Sequence, residues 1–242
     1  MPSPRILAIS SSRVGNSGYL ETASPLIQHF LVEESLAIAF IPFASVDKNY
    51  EASLLSVREG LSVLNFSIHL VEPHNAITVI EKADVIMVGG GNTFKLLHDI
   101  YDLRLMDIIR NKVTAGTPYI GWSAGSNIAG ATICTTNDMP VIEPESFKAF
   151  CFFPFQINPH YVNIKMEGHH GETRDQRLME FTILNPGVPV VGLPEGTALL
   201  LENEVLRFIG DAGGVLFNSD ENTGQPVRKE IKREADLSFL LK

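Results

Sequence analysis

One serine lies at the centre of a glycine-flanked motif, Gly121-Trp-Ser-Ala-Gly125. An apolar stretch from Pro118 precedes it and small residues from Ala124 follow it, which predicts a short buried strand that turns sharply into a helix. The flanking glycines let the two backbones pass closely, and the strained turn would lift Ser123 Oγ clear of the sheet. The pattern favours a serine nucleophile, and a glycine-rich turn with a serine N-cap is the alternative.

A serine nucleophile needs a general base, and His160 is the strongest candidate. It follows a predicted strand within Asn158-Pro-His-Tyr161, where the proline stiffens the backbone. His169 and His170 are rivals in a glycine-flanked loop, where they would face solvent or substrate. An adjacent histidine pair can also ligate a metal, but no cysteine or spaced carboxylate cluster completes such a site. We therefore expect neither a metal nor a cofactor.

Two acidic residues compete to orient the histidine. Asp138 lies between Ser123 and His160 in the chain, in a loop predicted over residues 131–144. Glu195 follows an apolar strand, and a carboxylate at the end of a buried strand is held more rigidly than one in a mobile loop. Triads occur in several unrelated chain orders, so the order of the residues does not choose between the two acids.

A second predicted strand-to-helix junction contains three consecutive glycines, Gly89–Gly91, followed by Asn92. Glycines let a backbone approach a ligand closely, and N–H groups at the start of a helix can meet a developing negative charge. We expect the N–H groups of Gly91 and Ala124 to form an oxyanion hole. Phosphate binding is the alternative, but the lysine of the full P-loop pattern is absent.

The elements that must position these residues alternate between strand and helix five times in the first half of the chain. Such alternation predicts an α/β fold whose parallel sheet is covered by helices on both faces, with ligands beyond the carboxyl ends of the strands. The second half is less regular. It contains predicted strands at Phe150–Ile157 and Val188–Leu193, hairpin-like strands at Leu199–Gly210 and Gly214–Asn218, and a charged surface tail after Ser219. We predict a single catalytic domain over residues 1–242.

Bulk composition excludes several classes of partner. The chain has 242 residues and a formal net charge of -9, which argues against nucleic-acid binding. No apolar run is long enough to span a bilayer, and the N-terminus lacks a signal-peptide pattern. With only two cysteines, Cys134 and Cys151, a disulfide is possible but not implied, so a cytoplasmic protein is expected. The partner we expect is a small-molecule substrate, bound by a monomer or a homodimer.

Five short motifs in the order of the chain together resemble peptidase E, the α-aspartyl dipeptidase family. They are Val88-Gly-Gly-Gly-Asn-Thr-Phe94, Gly121-Trp-Ser-Ala-Gly-Ser-Asn127, Asn158-Pro-His-Tyr161, Gly171-Glu-Thr-Arg174 and Leu193-Pro-Glu-Gly196. The resemblance implies a three-layer sandwich with a mostly parallel central sheet, which is flavodoxin-like and similar to class I glutamine amidotransferases, with serine replacing their cysteine. It also implies cleavage of dipeptides that begin with aspartate.

By the same resemblance, Ser123 is the nucleophile and His160 the base. The family's triad acid has been assigned to the position of Asp138, and Glu195 is kept as the alternative. Recognition of a β-carboxylate needs a fixed cation, and a planar guanidinium suits it, so we expect Arg174 to bind substrate together with Asn92. Three other functions stay open: a cyanophycinase-like β-aspartyl hydrolase, a generic serine esterase and a catalytically inactive ligand-binding domain.

Overall fold

The structure is a computed structural model that describes residues 3–32, 35–164, 168, 170–220 and 223–242. The strands are β1 (Ile6–Ile9), β2 (Ala37–Ile41), β3 (Ser67–Leu70), β4 (Val85–Val88), β5 (Tyr119–Trp122), β6 (Gln156–Pro159), β7 (Val190–Leu193), β8 (Thr197–Glu202), β9 (Val205–Gly210), β10 (Gly214–Ser219) and β11 (Pro226–Ile231). The helices are α1 (Ser24–Leu31), α2 (Tyr50–Gly60), α3 (Ala76–Lys82), α4 (Thr93–Asp102), α5 (Met106–Thr114), α6 (Ala124–Asn127), α7 (Arg174–Leu184) and a final 3-10 helix (Ser238–Leu241).

The central sheet has seven strands in the order β3-β2-β4-β5-β1-β8-β9. The first five of these strands are parallel, whereas β8 and β9 pair antiparallel at one edge. Successive side chains of a strand point to opposite faces. Ile6 and Ala8 accordingly join one buried cluster with α3, α4 and α5, while Leu7 and Ile9 join a second cluster with α1 and α2. The predicted three-layer α/β arrangement is confirmed.

A second sheet, ordered β11-β10-β7-β6, lies beside the first, and its β6 and β7 strands are parallel. Helix α7 covers it through a small cluster that includes Tyr161, Leu178 and Phe217. The largest buried cluster contains side chains from both sheets, such as Ile6 of β1 and Leu193 of β7. The assignment of residues 1–242 to a single domain stays a prediction.

Two predictions for the second half are wrong. The run Phe150–Ile157 forms a strand only from Gln156, because the N–H groups of residues 150–153 bond instead to carbonyl oxygens of residues 128–130. Three of its phenylalanines, Phe150, Phe153 and Phe155, are buried, although only Phe155 adjoins a strand, and Phe152 is partly buried. The tail after Ser219 is not wholly a surface segment, since β11 pairs with β10 and both Leu237 and Leu240 are buried.

The prediction of hairpin-like strands at Leu199–Gly210 and Gly214–Asn218 holds only in part. The first run lies within the β8–β9 hairpin, but the second lies in β10, which pairs with β7 and β11 in the other sheet. Cys134 and Cys151 are free and exposed. Among the described residues, no helix combines the length and the apolar character needed to cross a membrane.

Candidate active site

The predicted nucleophile lies on a strained turn between β5 and α6. Ser123 has φ 53° and ψ -113°, which is unfavourable for a residue with a side chain. The glycine two residues later is required by close packing, because a Cβ on Gly125 would lie 2.3 Å from the carbonyl oxygen of Val88. The hydroxyl of Tyr119, at the start of β5, donates to the Gly125 carbonyl at 2.6 Å and so stabilises the turn.

Both ring nitrogens of His160 have partners. Nε2 lies 3.0 Å from Ser123 Oγ, and Nδ1 lies 2.8 Å from Glu195 Oε1. An ionised carboxylate only accepts hydrogen bonds, so Nδ1 carries the proton and Nε2 accepts from the serine hydroxyl. Hydrogen bonds thus link Glu195 to His160 and His160 to Ser123. The side chains of His160 and Glu195 are 41% and 50% exposed, so solvent can reach this part of the site.

Strand register explains why these residues meet. β6 and β7 run parallel with Pro159 opposite Leu193, so the residues that follow each strand emerge at the same edge of the sheet. His160 is the next residue after β6, and Glu195 lies two residues beyond β7. The three side chains therefore come together from the carboxyl end of β5 in one sheet and the carboxyl ends of two neighbouring strands in the other.

The structure places Asp138 elsewhere. Its Oδ2 accepts from the Thr93 N–H at 2.7 Å and from the Thr93 hydroxyl at 2.5 Å, and the Thr136 hydroxyl lies 3.2 Å away. This carboxylate therefore satisfies an N–H group in the first turn of α4. The structure brings Glu195, and not Asp138, into contact with the His160 ring. The geometry therefore favours Glu195, the alternative acid, and the role of orienting acid stays a prediction.

The glycine segment lies against the nucleophile. A Cβ on Gly90 would be 3.0 Å from Ser123 Cβ, which places this loop beside the reacting hydroxyl. Gly91 has φ 137°, a conformation that disfavours any residue with a side chain. Within the described residues, neither the Gly91 N–H nor the Ala124 N–H donates a hydrogen bond. Both amides are available for the oxyanion role predicted for them.

Asn92 caps α4 and contacts the loop that contains Asp138. Its Oδ1 accepts from the Lys95 N–H at 3.0 Å as the N-cap of α4, and its Nδ2 donates to the Met139 carbonyl at 2.9 Å. The side chain thus joins the glycine segment to the loop that contains Asp138. A direct contact between Asn92 and substrate stays a prediction, while the observed contacts are structural.

Arg174 lies at the start of α7 and lines a cavity of about 300 Å³. Its Nη1 donates to Asn158 Oδ1 at 3.4 Å, and no described carboxylate forms an ion pair with it. Burial, followed by repulsion from Arg177, lowers the pKa of Arg174. The cavity is lined by Cys134, Thr135, Thr136, Asn137, Asp138, Met139, Arg174, Arg177, Leu178 and Phe181.

Two residues that line the cavity form hydrogen bonds to segments of the candidate active site. Asp138 on one wall bonds to Thr93, two residues after Gly91 in the glycine segment. Arg174 on another wall bonds to Asn158, two residues before His160. Asn158 is fully buried, and its Nδ2 also donates to Asn137 Oδ1 at 2.9 Å. No sequence pattern predicted these contacts of Asn158, although the residue lies in the same Asn-Pro-His segment as His160.

Of the two rival histidines, the structure describes only His170. His170 is exposed, and His169 lies outside the described residues. Within the part of the chain that the structure describes, no group of three or more histidine, cysteine or acidic side chains is arranged to hold a metal ion.

Comparison with known proteins identifies the family. The model of peptidase family S51 matches residues 6–209. The chain is 48% identical to Peptidase E of Shewanella amazonensis over 238 residues, which cover 98% of this chain and 99% of the relative. It is 46% identical to Peptidase E of a Nostoc species, with coverage of 99% and 97%. The chain belongs to peptidase family S51.

Membership in this family makes the chain a serine peptidase. Solved structures agree at the level of the fold. A protein of Listeria monocytogenes EGD-e superposes with a TM-score of 0.68 at 20% identity, covering 86% of this chain and 99% of its own. A peptidase from an acI-B1 Actinobacterium gives a TM-score of 0.66 at 16% identity, with coverage of 98% and 97%.

Proposed function

We propose that this serine peptidase is a dipeptidase that hydrolyses dipeptides with an N-terminal aspartate. The observation that carries the proposal is Arg174, a half-buried guanidinium with which no described carboxylate forms an ion pair. It lines a cavity together with Asp138 and donates to Asn158, two residues before His160. A planar guanidinium binds a carboxylate with two parallel hydrogen bonds. The β-carboxylate of an aspartyl substrate matches this cation in charge and geometry.

The opposite wall of the cavity supports recognition of the substrate's free amino group. Asp138 Oδ2 is engaged by Thr93 and Thr136, while its Oδ1 accepts no hydrogen bond from the described residues. In our proposal Oδ1 receives the α-ammonium group, and Arg174 receives the β-carboxylate. An N-terminal aspartyl residue carries both charges on adjacent carbons, so it complements both walls at once.

The reaction follows from the order of the hydrogen bonds. Ser123 Oγ attacks the scissile carbonyl carbon while its proton passes to His160 Nε2. Glu195 stabilises the resulting imidazolium through Nδ1, and the Gly91 and Ala124 N–H groups hold the negative oxygen. When the C–N bond breaks, His160 returns the proton to the leaving amine. The aspartyl group is then esterified to Ser123.

Water completes the cycle. His160 Nε2 takes a proton from the water molecule as its oxygen attacks the aspartyl ester, and the same proton then passes to Ser123 Oγ as the ester bond breaks. Aspartate leaves with both carboxylates free. The open side of the triad, where His160 and Glu195 are about half exposed, gives water access to the ester.

A substrate panel tests the proposal. We expect the wild-type protein to hydrolyse Asp-Leu, to act far more slowly on Asn-Leu and Glu-Leu, and to leave Asp-containing tripeptides with a blocked N-terminus intact. Ser123→Ala is the control and should be inactive on all of them while still binding aspartate by calorimetry.

Other outcomes would replace the proposal. Preference for β-Asp-Arg over Asp-Leu would indicate a β-aspartyl hydrolase. Rapid hydrolysis of p-nitrophenyl esters without cleavage of Asp-Leu would indicate an esterase. Aspartate binding by a wild-type protein that hydrolyses none of these substrates would indicate an inactive binding domain.

A further inference from the structure

Ser10, the first residue after β1, has a fully buried hydroxyl that joins the segments carrying the base and the acid. Its Oγ donates to the Leu193 carbonyl at 2.7 Å and accepts from the His160 N–H at 3.0 Å. Its own N–H donates to the Thr197 carbonyl at 2.9 Å. One residue thus holds the backbone of His160 and the backbone on both sides of Glu195.

The position of Ser10 also links it to the nucleophile. β1 pairs with β5 so that Ile9 lies opposite Trp122, and the Ser123 N–H donates to the Ile9 carbonyl at 3.2 Å. Ser10 therefore lies where the carboxyl end of the central sheet meets the carboxyl ends of β6 and β7. Its hydrogen bonds fix the distance between the strand that carries the nucleophile and the two segments that complete the triad.

His160 needs such an anchor because its backbone is unfavourable. Its φ is 51°, in the left-handed region that a residue with a side chain seldom adopts. This conformation directs the imidazole so that Nδ1 reaches Glu195 while Nε2 reaches Ser123. Strained conformations persist only where the surroundings fix them, and the hydrogen bond to Ser10 is a direct constraint on this backbone.

We propose that Ser10 is a positioning residue that aligns the imidazole of His160 with Glu195 and Ser123. The inference rests on the proposed catalytic roles of those three residues. Ser10 is buried behind the triad, and it acts on the reaction only through the geometry of the base and the acid. Misplacing a catalytic group by about 1 Å costs on the order of 100-fold in rate.

Three substitutions of Ser10 separate its hydrogen bonds from its volume. Ser10→Ala removes the hydroxyl, Ser10→Cys keeps the shape of the side chain but replaces the hydroxyl by a larger and much weaker hydrogen-bonding group, and Ser10→Thr keeps the hydroxyl. With Asp-Leu as substrate, we expect the Ser10→Ala and Ser10→Cys variants to have a kcat about 10- to 100-fold lower than the wild type. Their KM should stay within about threefold, because the cavity lined by Arg174 is unchanged. We expect Ser10→Thr to recover most of the lost kcat.

Thr182→Val is the matched control. Thr182 is also buried and donates its hydroxyl to the Leu178 carbonyl at 2.9 Å, within α7 and away from the triad. We expect it to lower thermal stability and leave kcat within about twofold, since it moves no reacting group. If Thr182→Val lowers kcat as much as Ser10→Ala at equal loss of stability, the effect is general destabilisation and the proposal is overturned.

A spectroscopic readout makes the test independent of the substrate. The proton on His160 Nδ1 should give a low-field NMR resonance because it is held by Glu195. We expect this resonance to broaden through exchange in folded Ser10→Ala and Ser10→Cys, and to persist in Thr182→Val. An unchanged resonance and unchanged kcat in both Ser10 variants would overturn the role of Ser10. Full activity in Ser123→Ala or His160→Ala would instead refute the proposed function.

Discussion

The two halves of the chain supply the active site in different ways. The first half is a regular parallel sheet, and Ser123 is presented by a local turn whose shape is set by its own neighbours, such as Gly125. The second half supplies His160 and Glu195, which meet only because β6 and β7 are parallel and in register. A nucleophile can thus be encoded within a few residues, whereas its activation depends on how two sheets are joined.

The largest expected effect comes from breaking the link between the halves. Ser123→Ala and His160→Ala should each lower kcat for Asp-Leu by about 10⁴-fold or more, because either loss prevents formation of the aspartyl ester. The double variant should be scarcely worse than either single variant, since the two side chains act as one unit. Steady-state kinetics of the three proteins measure this, and additive losses would show that the halves act separately.

A smaller effect is expected within the second half alone. Glu195→Gln keeps the shape of the side chain but removes its charge, so it should lower kcat by about 10²- to 10⁴-fold with a small change in KM. Asp211→Asn is the control, because Asp211 is a fully exposed acid whose partner is Arg233 at 3.1 Å. If Glu195→Gln retained wild-type kcat, this half would not contribute the orienting acid.

Substrate binding should depend on one of the two arginines that line the cavity. Arg174→Ala should raise KM for Asp-Leu by about 10- to 100-fold, because a charge-assisted hydrogen bond contributes about 1.5–3 kcal/mol. Arg177→Ala should have a much smaller effect, since the Arg177 side chain is exposed and already has an acidic partner, with its Nε 3.9 Å from Glu172 Oε2. Initial-rate kinetics compare the two variants, and equal increases in KM would remove the special role of Arg174.

The smallest effect concerns alkaline stability, which can be tested at one tyrosine in each half. Burial, followed by Asp99, raises the pKa of Tyr50 to about 12, and burial, followed by Asp175, raises the pKa of Tyr161 to about 12. An unfolded tyrosine titrates near pH 10. The folded protein therefore retains more protons between pH 10 and 12, so this contribution is complete below pH 10 and is lost as the pH rises.

Tyr50→Phe and Tyr161→Phe should each reduce that loss. The free energy of unfolding, measured by urea titration at pH 8 and at several values above pH 10, should fall less steeply in either variant than in the wild type. A slope that is unchanged in both variants would contradict the assignment of raised pKa values to these two residues.

Much of the first half could be predicted from the sequence. Apolar runs separated by helical patterns predicted the parallel strands, and the spacing of the Gly-x-Ser-x-Gly motif predicted the strained turn at Ser123. Both signals are local, because they depend on period and on the sizes of adjacent side chains. The strand-to-helix junction at Gly89–Gly91 was predicted from the same kind of local signal, since three consecutive glycines follow an apolar run.

The second half could be predicted less well from the sequence, for a physical reason. The choice between Asp138 and Glu195 depended on the pairing of Pro159 with Leu193, a register that neither local sequence contains. The aromatic run from Phe150 has the composition of a strand, but its backbone bonds to the segment after α6 instead. Ser10 gave no signal at all, since a serine at the end of a strand is common and its partners lie more than 100 residues away.

The most direct test of the account is the low-field proton resonance of His160 Nδ1 in four proteins: wild type, His160→Ala, Glu195→Gln and Asp138→Asn. The account predicts that the resonance is present in the wild type, absent without the histidine, lost or strongly shifted in Glu195→Gln, and retained in Asp138→Asn even though that variant binds substrate poorly. A resonance that persists in Glu195→Gln and disappears in Asp138→Asn would contradict the account.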